Sequence, residues 1–364
     1  MRKLEVGIYP VDKHKYDIDV ASNGPALEGI RMSEAVVPTM RIDPTLNVGR
    51  FATVMLTPED AIKQLSDVSK PVLEKRKMIV AYSYVGGDQA SSGATEPGKD
   101  GTVIGTVLVR FAEASTAKSA AKELEDVDFG VSPDNRRLTS SKFKDALLHW
   151  RPGVASIGVY MPYKEFVISL LIEQPRADSK ELIDWADKTL TAATAQLDKF
   201  QATPADKIGA LKADPDEMLA RVAVAERKDR KPDAETFASY GPNFLVTEAG
   251  DQAKWQRVLD ETGTDRYAIA DTTFVARTRD RTTAPVLLKE LHAAKSDHYD
   301  AIDAPRDVPG AKCEVLNAKG DPKEEFKYRC YVSYGRYVAG VNSDREPDVR
   351  QRVAAQYALL ANSL

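Results

Sequence analysis

Apolar and polar positions along the chain follow one long-range order that occurs twice. Thr106-Val107-Leu108-Val109-Arg110-Phe111 reads as a strand, and Ser115–Val127 as a helix with Ala117, Ala120, Ala121 and Leu124 on one stripe. In the second half, Thr272-Thr273-Phe274-Val275-Ala276-Arg277 is the strand. Its helix runs from about Thr283, with Pro285 early and Leu288, Leu291 and His292 beyond. Each half then reaches a Pro-Gly, at Pro152-Gly153 and Pro309-Gly310, and afterwards an aromatic β-hairpin. The hairpins are Ile157–Ile168 and Arg329–Gly340. Tyr160 matches Tyr331, Tyr163 matches Tyr334, Phe166 matches Tyr337 and Val167 matches Val338. Pro162 and Gly335 are read as the turn formers. A helix closes each copy. One opens at Asp178-Ser179-Lys180-Glu181 and the other at Ser343-Asp344-Arg345-Glu346, both with capping-box spacing.

The common unit is therefore strand, helix, connection, hairpin, helix. Its order predicts an α+β fold of two similar domains from an internal duplication, each an antiparallel sheet with helices packed on one face. Residues 1–45 mix short apolar groups with Pro, Asp and Gly, which predicts an extended segment draped on the first domain. Thr57-Pro58-Glu59-Asp60 is a helix start, and Met78–Val85 reads as a strand. Gly86–Gly101 reads as a polar loop. The stretch from Gln201 to Pro242 is polar and Pro-punctuated, with a helix predicted over Pro215–Glu226. The expected division is 1–200, a connector 201–242, and 243–364.

Composition narrows the function classes. The 364 residues are 43% hydrophobic and 29% charged with net charge -4, ordinary for a globular protein and unlike a basic nucleic-acid binder. Runs such as Lys75-Arg76-Lys77 are interleaved with acidic residues and read as solvated helix ends. No apolar run approaches the roughly 18–20 residues that span a bilayer. The start, Met1-Arg2-Lys3-Leu4-Glu5, lacks the apolar region of a signal peptide. Cys313 and Cys330 are the only cysteines and fit neither a zinc nor a redox motif. A disulfide between them would persist in an oxidising compartment. Two free buried thiols are the alternative. With the repeat aligned on Pro-Gly, Cys313 falls in an insertion of the second copy.

One resemblance is carried by Cys330-Tyr331-Val332-Ser333-Tyr334-Gly335-Arg336-Tyr337-Val338, continuing through Gln351-Arg352-Val353-Ala354-Ala355-Gln356-Tyr357-Ala358-Leu359-Leu360. This stretch resembles a family of actinobacterial envelope lipoproteins of unknown function, found in mycobacteria, nocardiae and rhodococci. Val6-Gly7-Ile8-Tyr9-Pro10 is similar to the segment after their lipid-anchored cysteine. The resemblance spans essentially the whole chain and is strongest at the C-terminal motif. It implies secretion, N-terminal lipidation and residence outside the cytoplasmic membrane, with no catalytic residues to carry over. The chain departs from it in lacking the signal peptide and the lipid-bearing cysteine, and the resemblance implies that both have been removed. A looser likeness, at fold level, is to small extracellular sensor and lipoprotein domains of mycobacteria.

Candidate chemistry is sparse. Gly93-Ala94-Thr95-Glu96-Pro97-Gly98-Lys99-Asp100 nearly spells a phosphate loop. Asp100 stands where a hydroxyl would hold Mg²⁺, and a strand follows in place of a helix, so a surface loop is expected. His14, His149, His292 and His298 form no metal-ligand spacing, and no Gly-x-Ser-x-Gly elbow occurs. No cofactor is expected. The sharpest features are the hairpin aromatics Tyr160, Tyr163, Tyr331, Tyr334 and Tyr337, with Trp150 and Arg336 beside them. They either line a ligand groove or pack helices against sheet. The reading favoured is a non-enzymatic secreted envelope protein that binds a lipid, a glycolipid or a protein partner. The alternatives are a purely structural or interaction module and an unrecognised hydrolase.

Overall fold

The computed structural model describes residues 4–16, 22–93, 96–294 and 296–363. Two seven-stranded antiparallel sheets form, one in each half. The first holds β1 (Val48–Met55), β2 (Val80–Gly87), β3 (Val103–Arg110), β4 (Arg136–Leu138), β5 (Leu147–Trp150), β6 (Ser156–Tyr163) and β7 (Phe166–Glu173). The second holds β8 (Phe237–Tyr240), β9 (Arg266–Ala270), β10 (Thr273–Arg277), β11 (Tyr299–Ile302), β12 (Lys312–Leu316), β13 (Tyr328–Tyr334) and β14 (Tyr337–Ser343). Their spatial orders are β1-β2-β3-β7-β6-β5-β4 and β8-β9-β10-β14-β13-β12-β11, the same path traced twice. The helices are α1 (Gly24–Arg31), α2 (Thr39–Ile42), α3 (Pro58–Ala61), α4 (Lys70–Lys75), α5 (Ala114–Phe129), α6 (Ser179–Lys199), α7 (Pro242–Thr247), α8 (Gln252–Thr262), α9 (Ala284–Ala293) and α10 (Glu346–Asn362).

The α+β duplication is as expected, but helices cover both faces of each sheet. Strand residues alternate between the faces. In the first sheet Tyr82, Leu108, Met161, Phe166 and Ile168 pack with Leu182, Ala186 and Leu190 of α6. Their neighbours Ala81, Val107, Val109, Tyr160 and Val167 pack with Ala117, Ala120, Ala121 and Leu124 of α5. In the second sheet Val332, Tyr337, Ala339 and Val341 meet Val349, Val353 and Leu360 of α10. The other face carries α9, which packs against β13 and β14. With both faces covered, the hairpin strands read as near-continuous apolar runs.

Register corrects two details of the repeat. Tyr163 pairs with Phe166 and Tyr334 with Tyr337, so each hairpin turns on two residues. The turns open with Lys164 at φ 53 and Gly335 at φ 57, a left-handed conformation that two-residue hairpin turns require. Pro162 lies in the strand, opposite Val167, and is not a turn residue. The Pro-Gly pairs are not equivalent either: Pro152-Gly153 follows β5, whereas Pro309-Gly310 precedes β12. Cys313 is therefore on a strand common to both copies. The extra length of the second copy lies after it, between Leu316 and Tyr328. The disulfide joins Cys313 to Cys330, which face each other directly across β12 and β13. The matching positions on β5 and β6 are the paired Leu148 and Val159, equally buried.

Other expectations also change. Pro215–Glu226 holds only a short 3-10 turn at Leu219–Arg221, because Glu217 takes a left-handed φ of 53 and Asp214 accepts from the amides of Leu219 and Ala220. Helix α6 is capped by Asp178 as predicted, but α10 is not boxed by Ser343: its hydroxyl bonds Asp348 and accepts from the Arg345 amide. The front of the chain contains α1 and α2 as well as extended backbone. Two compact units divide the chain as Ala21–Leu211 with Asn243–Trp255, and Met1–Val20 with Lys212–Pro242 and Gln256–Leu364. This differs from the expected 1–200, 201–242 and 243–364. In the second unit Tyr9 is buried, donates to Asp348 and accepts from Arg352, so residues 4–16 pack there, whereas residues 22–45 pack on the first domain as expected, with Met32, Val36 and Ile42 in its core. In the first unit Asn243 donates to the carbonyls of Ser33 and Val36, and the Ala249 carbonyl accepts from Gly49. A side chain on Gly49 would meet the Thr247 carbonyl at 1.9 Å, so glycine alone permits that approach.

The equivalence predicts that Cys313→Leu combined with Cys330→Val, the pair used in the first unit, still yields a cooperatively unfolding protein. Thermal unfolding followed by circular dichroism should show a loss of about 3 kcal/mol or less, the value of closing such a loop. Loss of the folded transition would contradict the equivalence.

Candidate functional site

The hairpin aromatics occupy the same three kinds of place in both units. Tyr160 and Tyr331 point toward the α5 and α9 faces and are buried. Tyr160 donates to Asp128 of α5 at 2.9 Å, and burial with that carboxylate raises its hydroxyl pKa. Burial pushes Tyr331 up to about 12, and its ring meets His292 of α9 edge-on at 5.8 Å. Tyr163 and Tyr334 are half-buried on the opposite faces. Tyr163 donates to Asp198 of α6, and Tyr334 meets the Tyr357 ring of α10 edge-on. Tyr337 is buried in the α10 core, with the Arg221 guanidinium over its ring. Trp150 is half-buried and donates to the Val154 carbonyl at 2.6 Å, closing the turn after β5. Arg336 is exposed at the hairpin tip. These residues hold helices on sheets; within neither unit do they converge on a groove.

Buried charge is likewise committed to joining elements. Glu28 of α1 is fully buried and accepts from Arg110 of β3, Arg31 of α1, and the amide and hydroxyl of Thr203. An ion pair so deep must satisfy its donors locally or cost several kcal/mol. A second cluster sits where α5 crosses β5. His149 lies 3.7 Å from Glu125 and 3.6 Å from Asp128, and Arg137 of β4 forks onto Glu125. The second unit has its counterpart between the end of α9 and β12. There His292 is 3.0 Å from Glu314, which also accepts from Arg329 at 2.6 Å. The strand position is the same in both sheets, since His149 follows Leu148 and Glu314 follows Cys313.

A cleft that the sequence did not advertise opens in the second unit. It has a volume of about 440 Å³ and lies between the N-terminal segment, the loop before β12 and the first turns of α10. Leu4, Pro305, Val308, Pro347 and Ala354 supply apolar lining, and Arg306 and Arg350 with Glu5, Asp307 and Glu346 supply charge. Arg350 is held by Glu346 at 2.9 Å. No periodicity links residues 4–5, 305–308 and 346–354, so only the fold brings them together.

The phosphate-loop lookalike is organised as a surface loop. Asp100 accepts from Ser91 and from the amide and hydroxyl of Ser92; Ala94 and Thr95 lie outside the described residues. Among the described residues no group of three or more His, Cys, Asp or Glu is placed to hold a metal ion. Among them, too, no helix is long and apolar enough to cross a membrane.

Comparison with known proteins follows the two halves. Residues 16–213 match the family described as "Domain of unknown function (DUF7373) N-terminal", and residues 218–363 match its "C-terminal" counterpart. No curated protein matches by sequence. Among solved structures, the extracellular domain of PknH from Mycobacterium tuberculosis aligns with 10% identity and a TM-score of 0.29, covering 46% of this chain and 93% of that one.

Placement of the aromatics predicts two different mutational outcomes. Tyr160→Phe removes the bond to Asp128 and should cost about 1 kcal/mol in urea unfolding. Arg336→Ala should stay within about 0.5 kcal/mol. A larger loss at Arg336 than at Tyr160 would contradict these roles.

Proposed function

The chain belongs to the DUF7373 family, and from its geometry we propose that it is a non-enzymatic binding protein of an oxidising, extracytoplasmic compartment, with the cleft beside α10 as the seat for an amphiphilic ligand. The cleft carries the reading. Its volume of about 440 Å³ is within the usual range of ligand pockets, and its lining joins apolar side chains to charges of both signs. A lipid or glycolipid would set its apolar body on Leu4, Val308 and Pro347 and its head among the charged groups. The buried Cys313–Cys330 disulfide supports the compartment, since such bonds persist where thiols oxidise. Lipid anchoring in a cell envelope, implied by the resemblance to actinobacterial lipoproteins, belongs to the same proposal. A non-enzymatic role is supported by the buried Glu28–Arg110 and Glu314–Arg329 pairs, whose charges tie structural elements together.

One observation favours a second reading, an interaction module. Phe51, Val85, Gly105, Leu171 and Gly158 form one row across the first sheet, and Phe51 and Leu171 are 39% and 53% exposed. The matched second-unit row around Asn342 is polar, so this face differs between the copies.

Native mass spectrometry of the protein purified from its natural source tests the first reading. A retained amphiphile is expected, and Leu4→Asp, which puts a charge in the apolar lining, should abolish its retention. A bare chain mass with free thiols at Cys313 and Cys330 would overturn both the ligand and the compartment.

A further inference from the structure

We propose that the His292–Glu314–Arg329 cluster is an acid-sensitive latch, holding α9 on the second sheet at neutral pH and releasing it on acidification. The latch has three connections. His292 Nε2 lies 3.0 Å from Glu314 Oε1, so the neutral Nε2–H tautomer donates to the strand carboxylate. Arg329 Nε donates to the other oxygen of Glu314 at 2.6 Å, and Arg329 Nη2 lies 3.5 Å from the His292 carbonyl. Glu314 and Arg329 are only 3% and 6% exposed, so solvent screens the cluster weakly. The sheet residues that touch it are aromatic: the Arg329 guanidinium lies 3.7 Å from the Tyr299 ring centre, and the Tyr331 ring meets His292 edge-on.

Counting the charges around His292 gives the sign. Glu314 and Lys312 come from β12, Arg329 and Tyr331 from β13, Tyr299 from β11, and Lys289 and Glu290 from its own helix. On the sheet, one carboxylate already serves one guanidinium, with a lysine beside it. A proton on His292 adds a further positive charge to that group. Burial lowers the His292 pKa below the ordinary imidazole value; Lys312 and Arg329 add to the effect, and Glu314 opposes it. A histidine depressed in the folded state contributes its full stability above the unfolded pKa, near 6.5, and loses it progressively as pH falls from there through the lower folded-state pKa.

The first unit supplies the control within the same molecule. At the equivalent place the histidine is on the strand and the acids are on the helix. His149 faces Glu125 and Asp128, with Arg137 on Glu125. Two carboxylates thus face His149, where a single carboxylate faces His292.

Hydrogen–deuterium exchange of the full chain, at about pH 7.5 and about pH 5.5 and corrected for intrinsic rates, reads the latch directly. Amides of Ala284–Ala293 should lose protection at the lower pH, by up to about tenfold, relative to those of Ala114–Phe129. His292→Gln, which retains a neutral donor toward Glu314, should flatten the response, and His292→Lys should leave α9 poorly protected at both pH values. Equal protection of α9 at both pH values overturns the proposal, and so does an undiminished response in His292→Gln.

Discussion

Each half of the molecule depends on the two-residue period of its central hairpin, with helices packed on both sides. β6–β7 and β13–β14 lie in the middle of their sheets, so the hairpin aromatics meet a helix on either face. Tyr160 and Tyr331 are sent one way, and Tyr163, Phe166, Tyr334 and Tyr337 the other. A slip of one residue would exchange the two sets and place Asp128's partner on the wrong helix. The aromatic content of the hairpins is thus a packing requirement set by α5, α6, α9 and α10, and a binding surface has to be sought elsewhere.

Because the fold is traced twice, each unit shows which features of the other are matters of place and which of residue. At the β5–β6 and β12–β13 junctions the place calls for a buried cross-strand pair, met by Leu148 and Val159 in one unit and by a disulfide in the other. One residue along, the place calls for an ionic link from strand to helix. One unit meets it with a strand histidine and helix acids, the other with a strand acid and a helix histidine. Exchanging the partners preserves the link while moving the histidine from strand to helix. At the hairpin turn, lysine and glycine both accept the left-handed backbone, so the turn is fixed by strand register more than by residue type.

Much of this was legible in the chain. Matching tyrosines, helical stripes and the strand–helix–hairpin–helix order gave the duplication and its α+β class. What escaped had physical causes. Pro152-Gly153 and Pro309-Gly310 look alike but lie on opposite sides of their strands, and that misplaced Cys313 into an insertion. A helix is expected over Pro215–Glu226, whereas the backbone at Glu217 and the Asp214 carboxylate fix a single 3-10 turn. The packing of the N-terminal segment rests on Tyr9 meeting Asp348 and Arg352, partners more than 330 residues away. The cleft was invisible for the same reason: its lining comes from three distant segments joined only by the fold.

The functional reading rests on where an amphiphile sits, and the sequence and the structure point to different places. A photoactivatable long-chain fatty acid, cross-linked to the intact protein and mapped by peptide mass spectrometry, separates them. Labels should fall on the segments bearing Leu4, Pro305–Val308 and Pro347–Ala354. Labels on the hairpins at Tyr160–Tyr163 or Tyr334–Tyr337, or an unlabelled protein, would contradict the cleft as the ligand seat.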